Sequence, residues 1–207
     1  MSAALGIARL AEMGHLGAAA APATLAGSAV GLNTAQRDIA ALIEREFYAA
    51  GFSPRMAAAA IANAWHESEL NPNAVGDAGQ SVGLFQLYSK GAGAGMTVEA
   101  RKDPTVNTRR IIEVVKGGGA VALRQAEAAG ADAAELARLF CIYVERPADS
   151  ATKGQQRAAT ARRMFPGSLP ASAPTFAATP GYGLAAAGIG ATLLIGGALY
   201  LRHRSSR

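Results

Sequence analysis

From Ser53 to Trp65 the chain reads Ser-Pro-Arg-Met-Ala-Ala-Ala-Ala-Ile-Ala-Asn-Ala-Trp, and this run constrains the fold more than any other feature. Serine supplies a capping hydroxyl and proline fits the first helical turn. Alanine has the best helix propensity because it loses no side-chain entropy. The predicted helix continues through His66-Glu67-Ser68 and is stopped by Asn71-Pro72. Other starts are legible at Asn33-Thr34, ahead of Ile39, Leu42, Ile43 and Phe47, and at Asp103-Pro104, ahead of Val106, Ile111, Val114 and Val115. Asp132 with Glu135 forms a capping-box-like start for Leu136, Leu139, Phe140 and Tyr143. Gly51, the glycines at 117–119 and Pro147 supply the stops. A last helix is expected from Gln155 to Met164, with its arginines facing water. Residues 73–95 are glycine-rich and read as loop with room for a small hairpin. Half the residues are hydrophobic but only 6% aromatic, so the core is expected from Ala, Leu, Ile and Val in a mainly α fold.

Composition divides the 207 residues into five parts. Residues 1–33 are rich in Ala and Gly, with too little basic charge and too broken an apolar run for a signal peptide, and read as an arm or linker. Residues 34–166 hold the helical signals. Residues 167–180 are rich in Ser, Ala, Thr and Pro, a linker composition. Residues 181–201 carry no charge over a length that suits a bilayer's hydrocarbon core, with Tyr182 and Tyr200 near the ends. The basic tail 202–207 follows. A transmembrane helix over 181–201 is the expectation, with the tail on the cytoplasmic or virion-interior side; a buried Ala/Gly helix is the alternative. Gly188, Thr192 and Gly196 form a small-residue ridge that suits helix packing or plain lipid contact equally well.

The net charge of +5 does not make a nucleic-acid binder. Arg202, Arg204 and Arg207 sit in the tail, and between Thr34 and Pro166 there are 16 basic residues against 14 acidic ones. No basic stripe with interleaved aromatics accompanies them, and no nucleic acid is expected as partner. The single cysteine, Cys141, lies in an apolar run and reads as buried filler. One Cys and three His show no zinc-site spacing, so no structural metal is expected.

Chemistry concentrates between Trp65 and Leu87. Glu67 ends an apolar helix whose face carries Ile61, Ala64 and Trp65. A carboxyl there is open to partial desolvation, which raises its pKa and suits it to protonate a glycosidic oxygen. Composition and spacing alone favour one more solvated acid. Glu67-Ser68-x-x-Asn71-Pro72-x-Ala74, followed by Ser81-x-Gly83-Leu84-Phe85-Gln86, resembles the paired signature of the soluble lytic transglycosylase and goose-type lysozyme superfamily, above all the tail-lysozyme domains of bacteriophage particles. Asp103-Pro104-x-x-Asn107 matches a helix start of that superfamily, and Tyr143-Val-Glu-Arg-Pro147 resembles a late element of the phage domains. The likeness spans roughly residues 34–165. The late Ala-Tyr-Asn-Ala-Gly element of many bacterial transglycosylases is absent.

The resemblance implies a lysozyme-like helical domain with a cleft, with Glu67 as catalytic acid and Asp77, in Gly76-Asp77-x-Gly79, as its partner. It implies that Ser81, Gly83, Leu84 and Gln86 line the glycan cleft, with Tyr143 also near the substrate. The implied reaction is cleavage of the β-1,4 bond between N-acetylmuramic acid and N-acetylglucosamine, without metal or organic cofactor. Asp77 positioning a water gives a lysozyme. Internal attack by the muramic 6-hydroxyl gives a lytic transglycosylase and a 1,6-anhydro product. Glu145 reads as structural, facing the cleft or pairing with Arg146, and His66 as a packing or surface residue. The expected partners are peptidoglycan glycan strands, a lipid bilayer through 181–201 and other virion proteins. The setting implied is a virion-associated enzyme, its catalytic domain on the peptidoglycan side, opening the wall for genome entry. A bacterial envelope-remodelling enzyme, or an inert glycan-binding or structural part of an injection apparatus, are the alternatives.

Overall fold

The computed structural model describes residues 24–169. Eight α-helices and a small sheet form the described domain: α1 (Leu25–Ser28), α2 (Thr34–Ala49), α3 (Pro54–Ser68), α4 (Val98–Lys102), α5 (Pro104–Lys116), α6 (Val121–Ala128), α7 (Ala133–Phe140) and α8 (Ser150–Met164). Between α3 and α4 lie β1 (Val75–Gly76), β2 (Ser81–Val82) and β3 (Leu87–Tyr88). The architecture is mainly helical, as expected of a lysozyme-like domain.

The alanine run becomes the central helix. Met56, every residue from Ala57 to Ile61, Ala62 and Ala64 are inaccessible to solvent. α3 is walled by α2, α7 and α8, and a helix covered on all sides must be apolar all round. Alanine also lets its neighbours approach closely, where larger side chains would hold them off. Asn63, also inaccessible, donates from Nδ2 to Ala59 O at 2.8 Å and across to Ala137 O of α7 at 3.1 Å. That bond ties the two best-packed helices together.

The caps follow the sequence closely. Asn33 accepts from Gln36 N–H while Gln36 reaches back to Asn33 N–H, closing a capping box at α2. Ser53, Asp103 and Asp132 accept from the third residue onward at α3, α5 and α7. Three helices were not anticipated, α1, α4 and α6; each is short and lacks a long apolar period. The last helix begins at Ser150 rather than Gln155.

The arm's final residues are part of this packing. Leu25 and Ala26 donate their N–H groups to the two oxygens of Glu44, each at 3.0 Å, and Val30 N–H donates to Met164 O at 2.9 Å. Leu25, Ala26, Ala29 and Leu32 are buried against the domain. Arg37 completes the clasp by donating to Ala26 O and Gly27 O.

The sheet is antiparallel in the order β1-β2-β3, pairing Val75 with Val82, Gly76 with Ser81, Ser81 with Tyr88 and Val82 with Leu87. Such short strands cannot hold themselves in water. Asn107 of α5, fully buried, holds them: Oδ1 accepts from Phe85 N–H at 3.1 Å, and Nδ2 donates to Val82 O and Arg101 O. Arg101 of α4 donates to Gln80 O and Leu87 O. The Asp103-Pro104-x-x-Asn107 motif is thereby explained: its aspartate caps α5 and its asparagine staples the sheet.

α7 does not stop at Phe140. It widens into a π-helical turn, Cys141–Glu145, closed by Arg146 N–H to Cys141 O at 2.9 Å with Arg146 left-handed at φ 54°. Pro147 ends the run, as its ring requires. Among the described residues no helix is long and apolar enough to cross a membrane. The expected span at 181–201, with its flanking linker and tail, lies outside the described residues.

Candidate active site

Three elements converge on one group of charges. Glu67 sits in the last turn of α3, Glu145 closes the π-helical turn, and Arg157 projects from the middle of α8. Arg157 Nη2 lies 2.6 Å from Glu67 Oε1 and 3.4 Å from Glu145 Oε2. The side chains of Arg157 and Glu145 are each 7% exposed, that of Glu67 24%. Glu67 is thus the member of the trio that faces outward.

Burial sorts the protons here. The Glu145 carboxyl is pushed up to about 8, first by desolvation and then by the negative charge of Glu67, with Arg157 opposing. The Cys141 thiol beside it is pushed up to about 12 by burial and by Glu145, so it is no nucleophile at neutral pH. His66, on the neighbouring face, is lowered to about 4 by burial and by Arg157, and is a neutral ring near pH 7. Its Nε2 lies 2.9 Å from Thr160 Oγ1, and Trp65 meets it edge-on at 5.2 Å. His66 is therefore a packing residue of the α3–α8 interface.

Two sequence expectations are corrected in this trio. Arg157 does not face water; it lies on the inner face of α8 with Gly154, Ala158, Ala161 and Met164. Glu145 pairs with Arg157 rather than Arg146, whose Nε donates to Tyr143 O. The signal was present: Gly154-x-x-Arg157-Ala158-x-x-Ala161-x-x-Met164 is a helical apolar stripe with one cation in it.

The hairpin residues are disposed differently. Asp77 is exposed on the turn between β1 and β2, left-handed at φ 49°, and its Oδ2 accepts from Ser81 Oγ at 2.7 Å. Gly83, at φ 85°, has no room for a side chain, since a Cβ would stand 2.1 Å from Arg101 O and 2.3 Å from Asn107 Nδ2. Leu84 is wholly buried, so its side chain is core and lines no cleft; its carbonyl lies 2.9 Å from Ser68 Oγ. That contact joins the end of α3 to the hairpin, one residue from Glu67. Gln86 donates from Nε2 to Ala74 O and Gly83 O, locking the loop from inside. Tyr143 is half-buried and packs on the core. A groove beside the end of α3 is lined by Gln36, Ile39, Ser68, Glu69, Asn71 and Pro72; Glu67 is not among its lining residues.

The profile of phage tail lysozymes matches residues 38–166, a stretch that begins in α2 and contains the trio and the hairpin residues. The chain belongs to the phage tail lysozyme family. No curated protein and no solved structure matches it. For this tail lysozyme domain, the match includes the trio, the hairpin and the Asn107 staple, and leaves the α1 clasp outside. Among the described residues no group of three His, Cys, Asp or Glu side chains is placed to hold a metal ion.

Proposed function

We propose that the protein is a peptidoglycan glycosidase that cuts the β-1,4 bond between N-acetylmuramic acid and N-acetylglucosamine, with Glu67 as general acid. The observation that carries this reading is a partly exposed carboxyl at the end of a buried helix, backed by a buried arginine and a second carboxyl, within a tail-lysozyme domain. Glu67 protonates the leaving oxygen, the C1–O bond breaks towards that oxygen, and positive charge builds on the sugar ring. The attacking group then gives up its proton to a carboxylate: to Asp77 when a water attacks from the opposite face, to Glu67 when the muramic 6-hydroxyl attacks.

The attacking group defines the product. Asp77, exposed and oriented by Ser81, is suited to position a water, which makes the enzyme an inverting lysozyme. Attack by the muramic 6-hydroxyl needs no second carboxylate and makes it a lytic transglycosylase. Mass spectrometry of muropeptides released from purified sacculi by the full-length protein separates the two, as reducing-end or anhydro-muramyl products. Glu67→Gln is expected to lower either product by about 10³-fold. Undiminished release by a folded Glu67→Gln protein overturns the assignment. Glycan binding without any release by the wild type favours an inert structural component.

The setting is also a proposal. An uncharged stretch at 181–201, on a Ser/Ala/Pro tether, would hold the domain beside a bilayer and confine cutting to nearby wall. That suits a virion-associated enzyme acting locally during genome entry better than wholesale lysis. Liposome flotation of the full chain against one ending at residue 180 tests the anchor; equal partitioning of both removes it.

A further inference from the structure

A general acid must hold a proton when the glycan arrives, and Glu67 is paired to a guanidinium at 2.6 Å. The trio contains two carboxyls and one cation. With both carboxyls ionised, the site carries a net negative charge with Arg157 and Glu145 almost wholly buried, which is costly. One proton on the pair makes it neutral.

The geometry says which carboxyl keeps that proton at rest. Arg157 Nη2 is close to Glu67 and only at the limit of hydrogen bonding to Glu145, at 3.4 Å, so the charge belongs on Glu67. Glu145 Oε1 is buried without a hydrogen-bond partner. As a bare carboxylate oxygen it would be an unsatisfied acceptor. As a hydroxyl it becomes a donor to the Glu67 carboxylate alongside it. The π-helical turn matters here, because the widened turn presents Glu145 at its last position, and such turns recur where a side chain must be re-aimed.

We propose that Glu145 stores the proton with which Glu67 attacks the glycosidic oxygen, Arg157 holding the two carboxyls together. The inference rests on Glu67 being the acid. In balanced form, protonated Glu145 and ionised Glu67 exchange the proton to give ionised Glu145 and protonated Glu67. Glu67 then delivers it to the leaving oxygen as the C1–O bond breaks, and the carboxylate pair recovers one proton, from the muramic 6-hydroxyl where that attacks, or from solvent where Asp77 has taken the proton of an attacking water. Glu145 is a positioning residue, since it acts through Glu67 and does not touch the glycan. The titratable groups that act on it are Glu67 on α3, Arg157 on α8 and Cys141 in its own turn; His66 faces Arg157 from α3.

The test is the pH profile of wall cleavage by the full-length protein, measured for wild type, Glu145→Gln and Glu145→Asp. Wild type is expected to lose activity on the alkaline side near pH 8, where the pair gives up its shared proton. In Glu145→Gln the alkaline limb moves at least about one pH unit lower, because the carboxyl that holds the proton up to about pH 8 is gone. Glu145→Asp retains a titrating carboxyl and restores most of the limb. A folded Glu145→Gln protein with the wild-type limb overturns the proposal. Should Glu145→Gln fail to fold by circular dichroism, ¹³C-carboxyl NMR titration of wild type and Glu67→Gln decides. Glu145 titrates at lower pH in Glu67→Gln if the two are coupled, and unchanged if they are not. Loss of cleavage in Glu67→Gln with no change in Glu145 sinks this inference alone; retained cleavage in Glu67→Gln sinks the acid assignment first.

Discussion

The two sides of the proposed site are built on opposite plans. Glu67, Glu145 and Arg157 come from elements packed around an all-buried alanine helix, and their polar groups face one another. Ser81 comes from a strand of two residues and Gly83 and Gln86 from the turn that follows it, and their polar groups face their own loop. The helical side fixes charges by burial, and the hairpin fixes its shape by hydrogen bonds borrowed from α4 and α5. A proton donor gains from the first plan, because low polarity strengthens each charge interaction. A substrate-contacting edge gains from the second, because exposed backbone stays available. The hairpin is consequently the more fragile half, since its order depends on a few contacts rather than on a core.

Gly83→Ala attacks that fragility most directly. The new methyl would collide with Arg101 O and the Asn107 amide, and the positive φ would strain any other residue. A loss of about 4 kcal/mol or more is expected, or failure to fold, read by urea unfolding. A Gly83→Ala protein as stable as wild type would show that the staple is loose and the comparison misdrawn.

Asp77→Asn sharpens it further. The amide keeps the turn and its contact with Ser81 but loses the negative charge. Release of reducing-end muropeptides is expected to fall about 10²-fold with the melting temperature unchanged. If instead cleavage persists and only anhydro products are seen, the hairpin carries shape alone and all the acid–base chemistry lies on the helical side.

How much of this was legible depended on whether a residue's role is local. The caps at Asn33, Ser53, Asp103 and Asp132 were readable because capping is a matter of three or four adjacent residues. Glu67 was singled out by its motif, and the fold sets it beside Arg157. Arg157 was not, because a single cation on a polar-looking helix resembles a solvated one until its apolar neighbours are counted by helical period. Glu145 was misplaced for a different reason. An ordinary helical spacing sets its neighbours by threes and fours, and the π-helical turn shifts that register. Leu84 sat in a motif associated with substrate, yet the turn between β2 and β3 folds its side chain wholly into the core. The buried end of the arm, clasped by Glu44, lacked any local signal, since both its partners are remote in sequence.

The smallest effect expected is on the helical side, and it concerns stability rather than rate. His66 has its pKa lowered to about 4 in the fold, against an ordinary value of 6.5. Below pH 6.5 the unfolded chain takes up a proton that the fold refuses, so the stability contributed by neutral His66 is complete above 6.5 and is lost as pH falls towards 4. Glu145 works in the opposite sense: its raised pKa favours the fold at low pH and penalises it as pH climbs from about 4.5 towards 8. The two slopes oppose each other between these values, which flattens the wild-type curve of melting temperature against pH. His66→Gln removes one slope while leaving an amide to meet Thr160. Its melting temperature is expected to hold up better than wild type between pH 6.5 and 4, by a few degrees in order of magnitude. If the two curves run parallel, the ring is already solvated, and the α3–α8 interface around Arg157 is more open to water than its burial implies.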